Sequence, residues 1–201
     1  AEGLSELNVY LLNARALADR EGAALALLSP ARRERALRCK PQPPRLCLMA
    51  GGLLLGHVLG VWDESVFTVN QWGKPSLPGG PPFSLTHAGD YAALAVGEGP
   101  VGLDVEPLDR PFRRLSGRYF TEEERRWLEE APTAERFYTL WTRLEALTKA
   151  DGRGLLMEGR AQSLLDTEGP WYLRTFAHEG HLLSAAADRP FEPKAAEVPI
   201  E

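Results

Sequence analysis

The chain has 201 residues, of which 44% are hydrophobic and 25% are charged, and its net charge is −5. This length suffices for one large domain or for two small ones of about 100 residues each. The composition is typical of a soluble globular protein, and the negative charge argues against nucleic acid or an anionic membrane as a partner, because both attract surplus Lys and Arg. No apolar run reaches the roughly 20 residues of a membrane span, and no signal peptide is recognisable, so we expect a cytoplasmic protein.

The first third of the chain is predicted to be one strand followed by helices. Leu7 to Leu12 has the β-branched and aromatic character of a buried strand, and the helical segment after it ends near Leu28. Ser29 and Pro30 then predict the N-cap and first residue of a second helix. The segment 40–44, KPQPP, is interpreted as a loop because its prolines remove hydrogen-bond donors. The glycine-rich apolar run from position 46 into 61 predicts a buried helix.

Two features of this region admit more than one interpretation. Arg32, Arg35 and Arg38 recur every three residues on the second helix, so they form either a solvated face or a site for one polyanion. The two cysteines, Cys39 and Cys47, have no further ligands at metal-binding spacing. They suit free thiols in a reducing compartment better than a small disulfide loop.

The middle of the chain predicts three strands separated by turns. A short strand over 67–72 leads into the loop Gly73-Lys74-Pro75. The next strands are predicted over 83–87 and 91–96, which places His87 at a strand end. A lone histidine is usually structural, so His87 gains interest only from its neighbours. A linker is expected near 97–100.

The stretch VGLDVEP, residues 101–107, predicts a strand with two acids on one face. Side chains alternate along a strand, so Asp104 and Glu106 share one side while Leu103 and Val105 point to the core. The two acids are either exposed at a strand end or ligands of a cation. Carboxylates of this kind suit Mg²⁺ or Mn²⁺ better than zinc.

The stretch 137–154 predicts a helix that presents Trp141, Glu145 and Lys149 one turn apart on the same face. This row is either an exposed Glu-Lys pair or part of a site, in which Glu145 would add a third carboxylate. Apolar residues at 137, 140, 144 and 147 predict the buried flank, and Gly152 and Gly154 predict the end of the helix.

The remaining segments complete an α+β chain. Thr121 and Glu124 form the sequence pattern of a capping box at the start of a helix. Residues 171–178 and 181–187 predict a β-hairpin that turns at Glu179-Gly180, and 196–200 predicts an edge strand. Each half of the chain has helices followed by strands, which favours a pseudo-duplicated architecture with its site at the seam between the halves.

Four motifs together resemble those of the Sfp-type 4′-phosphopantetheinyl transferases, in that family's order, from about residue 29 to residue 187. The matching residues are Gly102, Asp104 and Glu106 in G-x-D-x-E, Trp141, Glu145 and Lys149 in W-x-x-K-E-x-x-x-K, Lys74 in GKP, and Thr86 with His87 at the strand end.

The resemblance implies a fold, an activity and a set of partners. The fold would have two lobes, residues 1–98 and 99–201, each a small antiparallel sheet packed with helices, with the active site at the seam. The enzyme would be of the holo-[acyl-carrier-protein] synthase type. It would transfer 4′-phosphopantetheine from coenzyme A to a serine of an apo acyl, peptidyl or polyketide carrier protein and release 3′,5′-ADP. We expect a monomer.

The resemblance also implies residue roles. Asp104, Glu106 and Glu145 would hold Mg²⁺, with Mn²⁺ as a substitute, at the pyrophosphate. Glu145, or Glu124 through water, would accept the serine proton. Lys149 would stabilise the pyrophosphate, and His87 would donate a hydrogen bond to the same group. Arg32, Arg35, Arg38 and Lys74 would hold the 3′-phosphate of coenzyme A. The full set assigned to coenzyme A is Arg32, Arg35, Arg38, Arg45, Lys74, Thr86, His87, Asp104 and Lys149. The hypothesis for the carrier-binding patch is Arg113, Arg114, Arg118, Tyr119 and Phe120.

Two positions depart from the family pattern. Leu144 replaces a lysine, and Cys47 replaces an arginine for which Arg45 is the nearby substitute. These departures predict an active enzyme with weaker coenzyme A binding. An affinity that rises with Leu144→Lys would support this prediction, and no change would indicate that Arg143 or Arg45 already compensates. A non-catalytic protein that binds coenzyme A or a carrier is the first alternative, and a plain α+β structural domain is the second.

Overall fold

The computed structural model describes residues 3–112, 118–154, 160 and 162–200. The described helices are α1 (Glu21–Leu27), α2 (Pro30–Arg38), α3 (Gln42–Leu59), α4 (Glu122–Glu130) and α5 (Ala134–Asp151), with short 3₁₀ helices at Ala14–Leu17 and Glu64–Val66. The described strands are β1 (Ser5–Asn13), β2 (Thr68–Val69), β3 (Pro75–Ser76), β4 (Phe83–Ala88), β5 (Tyr91–Gly97), β6 (Val101–Pro107), β7 (Tyr172–His178), β8 (His181–Ala187) and β9 (Phe191–Glu197). The predicted α+β class is confirmed.

The strands form two main sheets and a small hairpin. The first sheet has the order β4-β5-β1-β9, the second has the order β6-β8-β7, and β2 pairs with β3. The predicted hairpin of β7 and β8 is confirmed as an antiparallel pair. The expectation of purely antiparallel sheets is wrong for the first sheet, because β9 runs parallel to β1 with Phe191 opposite Ser5. The predicted edge strand therefore begins at Phe191, five residues earlier than expected, and joins the sheet built by the first half of the chain.

Local sequence signals explain where most helices begin and end. The hydroxyl of Ser29 accepts the N–H of Arg32, as the predicted N-cap of α2. Gly152 ends α5 in the left-handed region, with φ 76°. The prediction that 40–44 is a loop is wrong, since α3 begins at Gln42 and includes Pro43 and Pro44 in its first turn. The first turn of a helix tolerates proline because its N–H groups have no partner within the helix.

The layers run from α3 through the first sheet and the second sheet to α5. Alternate residues of β1 and β5 face α3, and the others face the second sheet. Leu103 and Val105 of β6 lie in the core between the two sheets, as the alternation predicted. The opposite face of β6, which carries Asp104 and Glu106, therefore points towards α5. No helix among the described residues is both long enough and apolar enough to cross a bilayer.

Candidate active site

The backbone of α5 crosses β6 so closely at Gly102 that no side chain would fit between the two elements. A Cβ atom added at Gly102 would lie 1.8 Å from the carbonyl oxygen of Ala146 and 2.6 Å from the amide nitrogen of Ala150. The absence of a side chain at Gly102 thus lets the α5 backbone lie directly on the strand. This contact holds Glu145 and Lys149 over the face of β6 that carries Asp104. The sequence motif contained Gly102, but its packing role was not predicted.

Asp104, Lys149 and Thr86 come together from three different elements. The ammonium Nζ of Lys149 lies 3.0 Å from Asp104 Oδ1 and donates to Thr86 Oγ1 at 3.2 Å. The hydroxyl of Thr86 lies 3.3 Å from the same carboxylate oxygen. Lys149 also donates to the carbonyl of Leu103 at 3.0 Å. The structure therefore brings a residue of the first sheet, one of the second sheet and one of α5 to a single point.

The second oxygen of Asp104 is buried without a hydrogen-bond partner among the described residues. Burial raises the pKa of Asp104, and Lys149 and Thr86 oppose that rise. A buried carboxylate oxygen with no donor is costly, so this atom is suited to a ligand that carries positive charge. The chemistry of the residue therefore fits a hard cation.

Asp104, Glu106 and Glu145, here called the carboxylate cluster, are coupled by charge. Burial and repulsion from Asp104 and Glu145 raise the pKa of Glu106 to about 7, against a lowering by Arg110 and Lys149. Burial and Asp104 raise the pKa of Glu145, which Lys149 partly offsets. Within the described part of the chain, no three acidic, histidine or cysteine side chains form a group that could hold a metal ion. The three predicted ligands are thus electrostatic neighbours rather than a preformed ligand set.

A cleft of about 480 Å³ opens beside the carboxylate cluster. Glu145, Thr148 and Lys149 line it from α5, and Phe83, Ser84 and Leu85 line it from β4. The remaining lining residues come from the β2–β3 connection and from the chain just after α5: Trp72, Gly73, Lys74, Pro75, Gly152 and Gly154. Carboxylate, ammonium and apolar surface thus line one concave site, as small-molecule sites require.

A second group of cations lies near His87. The His87 side chain is exposed, yet partial loss of water and the charges of Arg32, Lys149 and Arg35 lower its pKa. Arg32 is buried and bound to Glu64, with its Nε 2.6 Å from Oε2. Arg35 is exposed, and its side chain forms no hydrogen bond or ion pair with any described residue. The structure therefore brings Arg32, Arg35 and His87 to the same region, but only Arg35 and His87 are accessible.

The other predicted coenzyme A cations have partners within the chain. Arg38 binds Glu34 on the surface of α2. Arg45 binds Glu21 with an Nε–Oε2 distance of 2.9 Å, and also donates to two backbone carbonyls. Lys74 donates to backbone carbonyls at the end of α5 and the start of β6. Each of these three side chains is therefore engaged by a partner within the described part of the chain.

Comparison with known proteins assigns the chain to a family. Residues 100–188 match the model of the 4′-phosphopantetheinyl transferase superfamily. The chain is 36% identical over 137 residues to the 4′-phosphopantetheinyl transferase AcpT of Escherichia coli (strain K12), which covers 63% of this chain and 67% of that protein.

The chain belongs to the 4′-phosphopantetheinyl transferase superfamily. The match to 4′-phosphopantetheinyl transferase Sfp of Bacillus subtilis (strain 168) is 24% identical over 193 residues, 85% of this transferase and 86% of Sfp. The transferase psf-1 of Bacillus pumilus is 29% identical over 172 residues, 74% of this chain and 72% of psf-1. The predicted family is therefore confirmed.

Glu124 lies in an environment different from that of the carboxylate cluster in this transferase. Its side chain is fully buried, and its Oε1 and Oε2 accept from Arg160 at 2.7 and 2.8 Å. The N–H groups of Thr121 and Leu164 also donate to it, each at 2.8 Å. The capping box with Thr121 is confirmed. None of these contacts involves the carboxylate cluster, and no pattern in the sequence indicated Arg160 as the partner.

Both departures from the family pattern fall in the core of the transferase. Leu144 is 1% exposed, in the cluster with Phe120 and Phe137, so a lysine there would bury its ammonium group among aromatic rings. The expectation that Leu144→Lys improves coenzyme A binding stays a prediction, and the burial of this position argues against it. Cys47 is 1% exposed, and burial raises the pKa of its thiol to about 11, so it is a neutral core residue.

The predicted carrier patch is only partly described. Arg113 and Arg114 lie outside the described residues. The guanidinium of Arg118 lies over the Tyr119 ring, 4.8 Å from its centroid. Phe120 is buried and packs against Phe137, so it contributes to the core rather than to an exposed patch.

Proposed function

We propose that the chain catalyses the Mg²⁺-dependent transfer of 4′-phosphopantetheine from coenzyme A to a serine of an apo carrier protein, releasing 3′,5′-ADP. The partners are coenzyme A and an acyl, peptidyl or polyketide carrier, which makes the enzyme a holo-[acyl-carrier-protein] synthase in activity. The observation that carries this proposal is the buried Asp104 carboxylate, whose Oδ1 faces Lys149 and Thr86 while Oδ2 has no donor among the residues that the structure describes.

The carboxylate cluster supports a cation site in this proposal. Asp104, Glu106 and Glu145 would hold the Mg²⁺, since burial raises the pKa of each and the charge of Asp104 adds to the rise for Glu106 and Glu145. A cation would offset both effects. When bound, the ion supplies neutralisation of the negative charge of the diphosphate. Mn²⁺ offers the same coordination chemistry and would substitute.

The chain's own residues would orient the diphosphate and move one proton. Lys149 presents an ammonium to the cleft and donates to the diphosphate oxygens as charge builds on the leaving group. The serine oxygen forms its bond to the phosphorus next to pantetheine, and the bond from that phosphorus to the ADP oxygen breaks. Glu145, the member of the carboxylate cluster that lines the cleft, accepts the serine proton.

Glu124 is not part of this assignment. Its two oxygens already accept five hydrogen bonds, two from Arg160 and one each from Thr121, Leu164 and Ser163, which fills the capacity of a carboxylate at that depth. We assign Glu124 to the structure of the second half. For the 3′-phosphate, Arg35 is the accessible cation and His87 an accessible hydrogen-bond donor, with Arg32 behind them. The fold-level part of the proposal is two pseudo-duplicated lobes with the active site between them.

The test is a mass-shift assay on apo carrier proteins from fatty acid, polyketide and nonribosomal peptide synthesis. Incubation with coenzyme A and Mg²⁺ should add one phosphopantetheine to the serine of at least one carrier, and a chelator should prevent it. Asp104→Asn and Glu145→Gln should each lower the rate by about 10²-fold or more. Glu135→Gln, an exposed acid on the same helix, is the matched control and should keep the wild-type rate. Binding of coenzyme A without any mass gain would favour the non-catalytic alternative.

A further inference from the structure

The turn between β2 and β3 reaches across to the second half of the chain. The side-chain amide of Asn70 donates to the carbonyl of Gly152 at 2.7 Å. The ammonium of Lys74 donates to the carbonyls of Ala150 at 3.3 Å and Val101 at 3.4 Å. These three acceptors belong to the end of α5 and the start of β6, so the turn connects both elements to the first half of the chain.

Asn70 and Lys74 satisfy the carbonyl groups that a helix leaves without partners at its C-terminus. The last carbonyls of α5 have no N–H donor one turn further on, and they carry the negative end of the helix dipole. A lysine and an amide are suitable donors there. Asn70 also accepts the N–H groups of Trp72 and Lys74 at 3.0 and 2.9 Å, so it fixes the turn that presents the lysine.

The contacts of Lys74 lie next to the residues of the candidate active site. Val101 precedes Gly102, the residue on which the α5 backbone lies, and Ala150 follows Lys149. The acceptors of Lys74 are thus at the same crossing that sets Lys149 3.0 Å from Asp104. Burial lowers the pKa of Lys74, which Asp151 partly offsets, consistent with an ammonium directed into the protein rather than into water.

We propose that Asn70 and Lys74 are positioning residues that fix α5 on β6 and thereby hold Glu145 and Lys149 against Asp104. This inference rests on the proposed function. It differs from the assignment of Lys74 to the 3′-phosphate of coenzyme A, because a positioning residue affects the transfer step whether or not the donor carries that phosphate.

The discriminating experiment compares coenzyme A with 3′-dephospho-coenzyme A as donors, for the wild type and for Lys74→Met. Positioning predicts that kcat falls by about tenfold or more with both donors, and that the ratio of their KM values stays at the wild-type value. Lys194→Met, an exposed lysine on β9, is the matched control and should leave all constants unchanged. A rise in KM for coenzyme A alone, with unchanged kinetics for the dephospho donor, would overturn the inference and support the phosphate contact.

Asn70→Ala keeps the test decisive if Lys74→Met does not fold. It removes the donor to Gly152 without removing a cation, and we expect the same loss of kcat with both donors. The loss should be smaller in the double variant than the product of the two single losses, because the residues act on one helix end. The kinetic constants should be measured at a temperature at which circular dichroism shows that each variant is folded. Wild-type kcat in Asn70→Ala would overturn the inference. A wild-type chain that transfers nothing would overturn the proposed function and this inference together.

Discussion

Gly102 shows how one missing side chain sets the geometry of the candidate site. The strand that carries Asp104 and the helix that carries Lys149 touch through their backbones at this position. Any Cβ there would collide with the Ala146 carbonyl and the Ala150 amide nitrogen, neither of which can move without the helix. The separation of the reactive side chains thus depends on a residue that takes no part in the chemistry.

Gly102→Ala should therefore impair both stability and transfer. The helix has to move off the strand to admit the methyl group, so we expect a loss of about 1–3 kcal/mol in the free energy of unfolding. We also expect a fall of at least about 10²-fold in the rate, because a shift of about 1 Å is costly in an aligned site. Urea unfolding and the mass-shift assay measure the two effects.

Gly22→Ala provides the control for this substitution. Gly22 lies within α1, and an added Cβ would meet nothing within 4 Å. The same change there should leave activity intact and stabilise the helix by about 0.5–1 kcal/mol. If Gly102→Ala behaves like Gly22→Ala, the close approach of α5 to β6 does not set the site.

At the scale of the element, α4 is attached to the segment after α5 by one buried ion pair. Arg160 and Glu124 are 5% and 0% exposed in their side chains, and their hydrogen bonds also involve Tyr119 and Leu164. Burial alone would raise the pKa of Glu124, but Arg160 and two backbone N–H groups outweigh it, so its pKa lies below the ordinary 4.5. Breaking such a pair leaves an uncompensated buried charge, which costs about 3–5 kcal/mol.

Glu124→Gln should accordingly lower stability and flatten its acid dependence. Because the folded pKa is depressed, the contribution of Glu124 is complete above pH 4.5 and is lost as the pH falls through the lower folded value. The variant should be about 3–5 kcal/mol less stable at pH 7, with the gap to the wild type closing below pH 4.5. Urea unfolding from pH 7 down to the acid limit of folding measures this.

Glu122→Gln is the matched control on the same helix. Glu122 pairs with Arg126, and both side chains are 71% exposed. Glu122→Gln should lower the free energy of unfolding by less than about 1 kcal/mol at every pH. The Glu124→Gln variant, under conditions where it is folded, should transfer phosphopantetheine at near the wild-type rate. A collapse of kcat in the folded variant would instead restore Glu124 as a candidate base.

The elements differ in how far the sequence could predict them. Alternation of side chains predicts the strand β6, and helical periodicity predicts the helix α5, because burial selects apolar residues on one face of each element. The start of α3 was missed, since prolines that exclude a helix interior are tolerated in its first turn. The partners of Arg32 and Arg45 were also missed: Glu64 and Glu21 lie 32 and 24 positions away, and no local pattern indicates such pairs.

At the scale of the molecule, the two halves build one sheet and one core together, so a division at residue 98 does not separate two independent units. Strand β9 from the end of the chain pairs with β1, which makes β1 an interior strand of the first sheet. The core between the sheets combines Leu7 and Leu11 of β1 with Leu103 of β6 and Phe191 of β9, each 2% exposed or less. Pairing between strands so distant in the chain has no local sequence signal, which is why it was not predicted.

Fragments 1–98 and 99–201 should therefore fail to fold separately and succeed together. Alone, the first fragment would expose the inner face of β1 and leave that strand an edge, at about 1.5–3 kcal/mol for each large side chain returned to water. Neither fragment should show a cooperative thermal transition, whereas an equimolar mixture should recover the transition and some transferase activity. Replacing the second fragment with 99–190, which lacks β9, should abolish recovery because Phe191 no longer fills the shared core. A cooperative transition in fragment 1–98 alone would show that the first half is an independent domain.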